Sequence, residues 1–177
     1  MNEQQVNQIA KKFGRILIDK GIQILQSAFH LSPVVYPATE IWSFLNQLGF
    51  TSISLSDEKY YIVTLNDWIN IIEQDWVQEH QYYADIFDCD NFSFAFSSYA
   101  SYVFDLNTAG VCYGSVHKKD TGEPIGGHAF NLILAFEGGK LGAYLYEPMT
   151  HKYVKWEKDK KNILDTWEYR ITWVIYY

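Results

Sequence analysis

From Phe87 onward the chain reads as one amphipathic helix followed by four strands, and that order constrains the fold more than any other feature of the 177 residues. In "FDCDNFSFAFSSYASYVFD", Phe92, Ala95, Phe96, Tyr99, Tyr102 and Val103 recur at three-to-four spacing and make one apolar face. Asp88 stands in N-cap position and Cys89 in the first turn. The segments "GVCYGSVHK", "GHAFNLILAFE", "GAYLYEP" and "YRITWVIYY" then alternate with turn signals, as strands do. A helix packed on an antiparallel sheet, with further helices before it, is an α+β layout.

Those earlier helices come from the first eighty residues. Val6, Ile9, Phe13, Ile16, Leu17 and Ile24 form an apolar stripe interrupted by Lys20, predicting a helix over 2–26 that Gly14 and Gly21 weaken. Pro33 and Pro37 mark a loop, and Thr39 is the expected cap of a second helix ending at Gly49. "TSISLS" and "YYIVTL" read as two short strands joined through Asp57-Glu58-Lys59. Asn66 or Asp67 opens a further helix carrying Trp68, Ile69, Ile71, Ile72 and Trp76. The domain expectation is a single domain over 1–177, with a helical portion over 1–80 and a core over 82–177.

Composition narrows the function classes. The net charge of −7 repels phosphate backbones, so no nucleic-acid partner is expected. No apolar run approaches the roughly 18 residues of a membrane span, and the polar start lacks a secretory h-region, so no membrane partner and a cytoplasmic location are expected. In that setting the two cysteines are expected to be free thiols. An aromatic fraction of 18% argues for a packed globule rather than a disordered chain.

The chemistry concentrates on three residues. A helix N-terminus stabilises a thiolate, and the polar flanks Asp88 and Asp90 place Cys89 at the mouth of its helix rather than on the apolar face. Cys112 sits within an apolar strand and reads as core. His128 opens "HAFNLILAF" after Gly126-Gly127. A two-residue Gly138-Gly139 hairpin sets Glu137 opposite Lys140 and Glu147 opposite Phe130. His128 shares a face with Phe130, so His128 and Glu147 are diagonal neighbours, as a base and its orienting acid must be. Asn131 is a rival orienter, but it points to the other face. The oxyanion donors expected are the Cys89 backbone N–H and Gln81. Of the adjacent Tyr82 and Tyr83, one is expected to line the entrance and contact substrate. No metal site is expected: the spacing of Asp85, Asp88, Asp90 and Asn91 does not match a calcium loop, and Asp88 and Asp90 would serve only if calcium proved to be bound.

"FDCDNFSFAF", "GGHAFN" and "LYEP" together resemble the papain-like cysteine protease domain of the mushroom agglutinin family, over about 82–177, and similar bacterial and phage proteins. The resemblance implies a papain-like or transglutaminase-like cysteine hydrolase with Cys89, His128 and Glu147 as its triad, acting on a peptide or protein substrate. It carries calcium activation only as an option and no other cofactor. The sugar-binding repeats of the agglutinin are absent, and Met149 stands where family members often carry glutamine after the Glu-Pro pair. The competing expectation is a catalytically inactive binding module on the same scaffold, for example phage-borne and directed at a host factor.

Overall fold

The protein was analysed as a computed structural model, which describes residues 3–177. The chain divides into two compact units, 1–31 and 32–177. The first holds helix α1 (Glu3–Ala28). It runs unbroken through Gly14 and Gly21, the two positions expected to weaken it. Asn2, the expected first residue, and the side chains of Val6 and Ile9 lie outside the described residues.

The second unit holds β1 (Val34–Pro37), α2 (Ala38–Gln47), β2 (Ile53–Leu55), β3 (Lys59–Thr64), α3 (Leu65–Glu73), a 3-10 turn (Val77–Glu79) and α4 (Cys89–Phe104). The remaining strands are β4 (Ala109–Lys118), β5 (Pro124–Glu137), β6 (Lys140–Glu147), β7 (Lys152–Lys155), β8 (Asn162–Leu164) and β9 (Trp167–Tyr176). Strands β1, β7 and β8 fall where the sequence reads as loop. Thr39 lies inside α2, whose N-cap is Pro37. Helix α3 starts from Thr64, whose hydroxyl accepts from Asp67 N–H while the Asp67 carboxylate accepts from Thr64 N–H. Asp67 is thus the capping-box partner rather than the cap.

The fold expectation needs correction. Instead of a papain-like domain with a C-terminal antiparallel sheet, the second unit is a mixed sheet of nine strands, ordered β1-β3-β5-β4-β9-β2, with β6, β7 and β8 branching from it. Strands β2 and β3 do not form a hairpin with each other. Strand β2 pairs parallel to β9, and β3 pairs parallel to β5 and antiparallel to β1. The reason is burial. Tyr60 and Ile62 of β3 are fully buried and join Phe130, Leu132 and Leu134 of β5 in one core. A local hairpin could not bury them.

Alternation along the strands divides the sheet into two faces. Cys112, Phe130, Leu132, Leu134 and Leu145 form one core with Ile41 and Leu45 of α2. The other face carries α3 and α4, where Phe96 meets both Trp68 and Tyr146. Asn131 lies on that face and donates to Ser93 O (3.0 Å) and Gly110 O (3.2 Å). Its two bonds tie the first turns of α4 to the sheet.

Candidate active site

Asp88, in extended conformation, precedes α4, and the Asn91 side chain accepts from its N–H at 3.2 Å. Cys89 is therefore the first residue of a sixteen-residue helix. Ser93 Oγ donates to Cys89 O at 2.8 Å, and Asn131 in turn holds Ser93 O. The backbone that carries the thiol is thus anchored through two polar contacts to the middle of β5.

His128 is brought to this point by the sheet. It pairs with Gly114 of β4, where the backbone runs so close to β9 that an added Cβ would lie 1.9 Å from Arg170 O. Pairing between β5 and β6 ends at Asn131↔Tyr146, so His128 lies beyond the last paired residues, where the two strands part. The hairpin register is the expected one, with Glu137 opposite Lys140. His128 Nε2 lies 2.7 Å from Glu147 Oε2. The same imidazole also interacts with the Cys89 side chain, and each shifts the other's pKa.

Glu147 is almost wholly buried, and its carboxylate has three partners. They are His128 Nε2, the Tyr169 hydroxyl donating to Oε2 at 3.1 Å, and Met149 N–H donating to Oε1 at 3.4 Å. A buried carboxylate needs such partners. Around the imidazole, Phe130, Trp167 and Tyr169 stand with ring centroids 5.9, 6.2 and 5.9 Å away.

The electrostatics agree with an ion pair. The His128 hydrogen bond lowers the Cys89 pKa, assisted by Ala129 N–H and opposed by burial and by the Asp88 charge. Burial alone would lower the His128 pKa. Its bonds to Cys89 and Glu147, with their charges, outweigh burial and push it up to about 9. Both shifts favour a thiolate beside an imidazolium. Cys112 is fully buried, and burial raises its thiol well above the ordinary range.

The leader into Cys89 is a tight loop. Tyr83 and Phe87 exchange two backbone hydrogen bonds across Asp85, which is left-handed at φ 61°. Tyr82 is exposed, and desolvation together with the charges of Asp88, Cys89 and Asp85 raises its hydroxyl pKa. Tyr83 is exposed too, and its hydroxyl donates to Gln81 Oε1 at 2.8 Å. The side-chain oxygen of Gln81 is thereby engaged with Tyr83. Asp88 and Asp90 interact with each other, which lowers the first carboxyl and raises the second. Among the described residues no group of three or more His, Cys, Asp or Glu side chains is arranged to hold a metal ion.

Sequence reading missed Tyr169 and Trp167. Both lie on β9, where a register shift between Tyr113/Gly114 and their partners leaves Thr172 unpaired. Past that bulge the alternation inverts, so Tyr169 joins the same core as Val174 and Tyr176. An unbroken two-residue period would have turned Tyr169 away.

No family model and no curated sequence matches the chain. Solved structures do. One is a PSL1a–E64 complex, with TM-score 0.55 and 19% identity over 80% of this chain. Another is the Polyporus squamosus lectin bound to the human-type influenza-binding epitope Neu5Aca2-6Galb1-4GlcNAc, with TM-score 0.55, 18% identity and the same 80% of this chain covered. The chain spans about half the length of these structures, 51% and 49%. These findings correct the family expectation: the matching chains are those of a lectin, and the papain-like protease assignment and its peptide-hydrolase reading are not carried further. At this identity the likeness shows a shared fold, and the chain is similar in fold to part of a fungal lectin.

Proposed function

We propose that this chain is a ligand-binding module that carries an activated thiol, with Cys89 as thiolate, His128 as imidazolium and Glu147 as the group that orients the ring. The observation that carries the reading is the 2.7 Å contact from His128 Nε2 to a buried Glu147, with His128 acting to lower the pKa of the helix-terminal Cys89. A buried acid that fixes a histidine beside a helix-terminal cysteine is what nucleophile activation requires. Gln81 and the Cys89 N–H are the proposed donors to a ligand oxygen, and Tyr82 and Tyr83 the proposed entrance residues. The partner in this reading is a small molecule or a glycan, the classes with which the matching solved chains are held.

The chemistry supported is covalent capture of an electrophilic carbon. With E64, an epoxide, the Cys89 sulfur would attack a ring carbon, the carbon–oxygen bond would break, and the oxygen would take the proton from His128. Intact-mass analysis after incubation with E64 tests this. One adduct per chain, mapped to Cys89, absent in Cys89→Ala and at least tenfold slower in His128→Ala, is expected. An unmodified chain, or equal labelling of the His128→Ala variant, would overturn the reading. The trisaccharide Neu5Aca2-6Galb1-4GlcNAc added in excess slows adduct formation if a glycan binds at Cys89, and leaves it unchanged if the ligand is a small molecule alone.

A further inference from the structure

A second buried carboxylate lies outside the three residues above. The Asp75 side chain is fully buried at the end of the segment after α3, with partners from three directions. Val77 N–H donates to Oδ1 at 2.9 Å, the Tyr146 hydroxyl donates to Oδ2 at 3.2 Å, and His151 Nε2 lies 3.4 Å from Oδ2. Burial raises the Asp75 carboxyl, and Val77 N–H, His151 and Tyr146 pull it back. Tyr99 also faces this charge, and burial together with Asp75 pushes its hydroxyl up to about 12.

The placement of these partners is what matters. Tyr146 immediately precedes Glu147, and His151 ends the turn that follows it. That turn closes through Thr150 N–H to Glu147 O at 3.1 Å and Met149 N–H to Glu147 Oε1 at 3.4 Å. Asp75 therefore grips the chain on both sides of the acid. His151 is left-handed at φ 55°, a region that histidine enters more readily than most residues. Through Val77, the same carboxylate fixes the 3-10 turn that begins the leader to the nucleophile. In that leader His80 stacks on Phe87 at 3.8 Å, and Phe87 meets Phe92 of α4 at 4.8 Å.

We infer that Asp75 and His151 are positioning residues for the Cys89 site, holding Glu147 at its bond to His128 and the Cys89 leader in register with it. The inference rests on the activated-thiol reading. A buried carboxyl bonded to both Val77 N–H and the Tyr146 hydroxyl, with the His151 ring against it, holds two segments in one arrangement, and a displacement of about 1 Å at a reacting group can cost up to a hundredfold in rate.

The test is the pH dependence of iodoacetamide alkylation of Cys89 in the full chain, for the wild type, Asp75→Asn and His151→Asn. Asparagine tolerates the left-handed backbone but is too short to reach Asp75, so His151→Asn removes the pair without straining the turn. Thermal melts establish that each variant is folded. The expected result is a folded His151→Asn whose alkylation at mildly acid pH is slowed about tenfold, with the acid limb of its profile moved to higher pH. Variant profiles that superimpose on an activated wild type would overturn the inference alone. A wild-type Cys89 that reacts only as an ordinary thiol would instead overturn the reading beneath it.

Discussion

At the scale of single residues, the account turns on what Glu147 does to His128. Water reaches almost none of the Glu147 carboxylate, so its charge is balanced by the imidazole, the Tyr169 hydroxyl and the Met149 N–H. Glu147→Gln keeps the shape and removes the charge. We expect the His128 pKa to fall from about 9 and Cys89 alkylation below neutral pH to slow by about tenfold, read from rate–pH profiles. Tyr169→Phe deletes one donor to the buried acid. It should cost about 1–2 kcal/mol in urea denaturation, because the acceptor left behind is not rehydrated. The hairpin arithmetic that set Glu147 beside His128 was legible, since Gly138-Gly139 fixes the register and a two-residue period does the rest. Tyr169 was not legible. Its face depends on a bulge that no residue of "YRITWVIYY" announces.

At the scale of elements, the site depends on how closely three strands pass one another. Gly114 is where β4, the His128 strand and β9 converge. A methyl group there would meet the Arg170 carbonyl, which is backbone and cannot swing away. Gly114→Ala is therefore expected to destabilise the protein by more than about 2 kcal/mol and to slow Cys89 alkylation by displacing His128, as calorimetry and labelling on one sample would show. Helix α4 was readable because its cap, its first-turn cysteine and its apolar face agree with one another. The strands of the first half were readable as strands but not as partners. Burial of Tyr60 and Ile62 is visible in composition, whereas parallel pairing of β3 with β5 is a long-range choice with no local turn to mark it.

At the scale of the whole molecule, every strand, α4 and the Cys89 constellation belong to the unit 32–177. No described helix is long and apolar enough to cross a membrane. The acid–base behaviour of the site also reaches the stability of the whole. His128 has a raised pKa, so its contribution is fully present below its unfolded value of about 6.5 and is lost as pH rises through about 9. Cys89 has a lowered pKa, so its contribution is present above its unfolded value and is lost as pH falls through the lowered one. The stability advantage of the wild type over His128→Gln, measured as urea midpoints across pH, should therefore shrink above about pH 9.

The central claim is that Cys89 and His128 form a thiolate–imidazolium pair held by Glu147, and a nuclear magnetic resonance titration of the histidine ring signals tests it most directly. His128 should remain protonated through neutral pH and titrate near 9, and both Cys89→Ala and Glu147→Gln should bring it down. A His128 that titrates near the ordinary histidine value of about 6.5 in the wild type, unmoved by either substitution, would contradict the account.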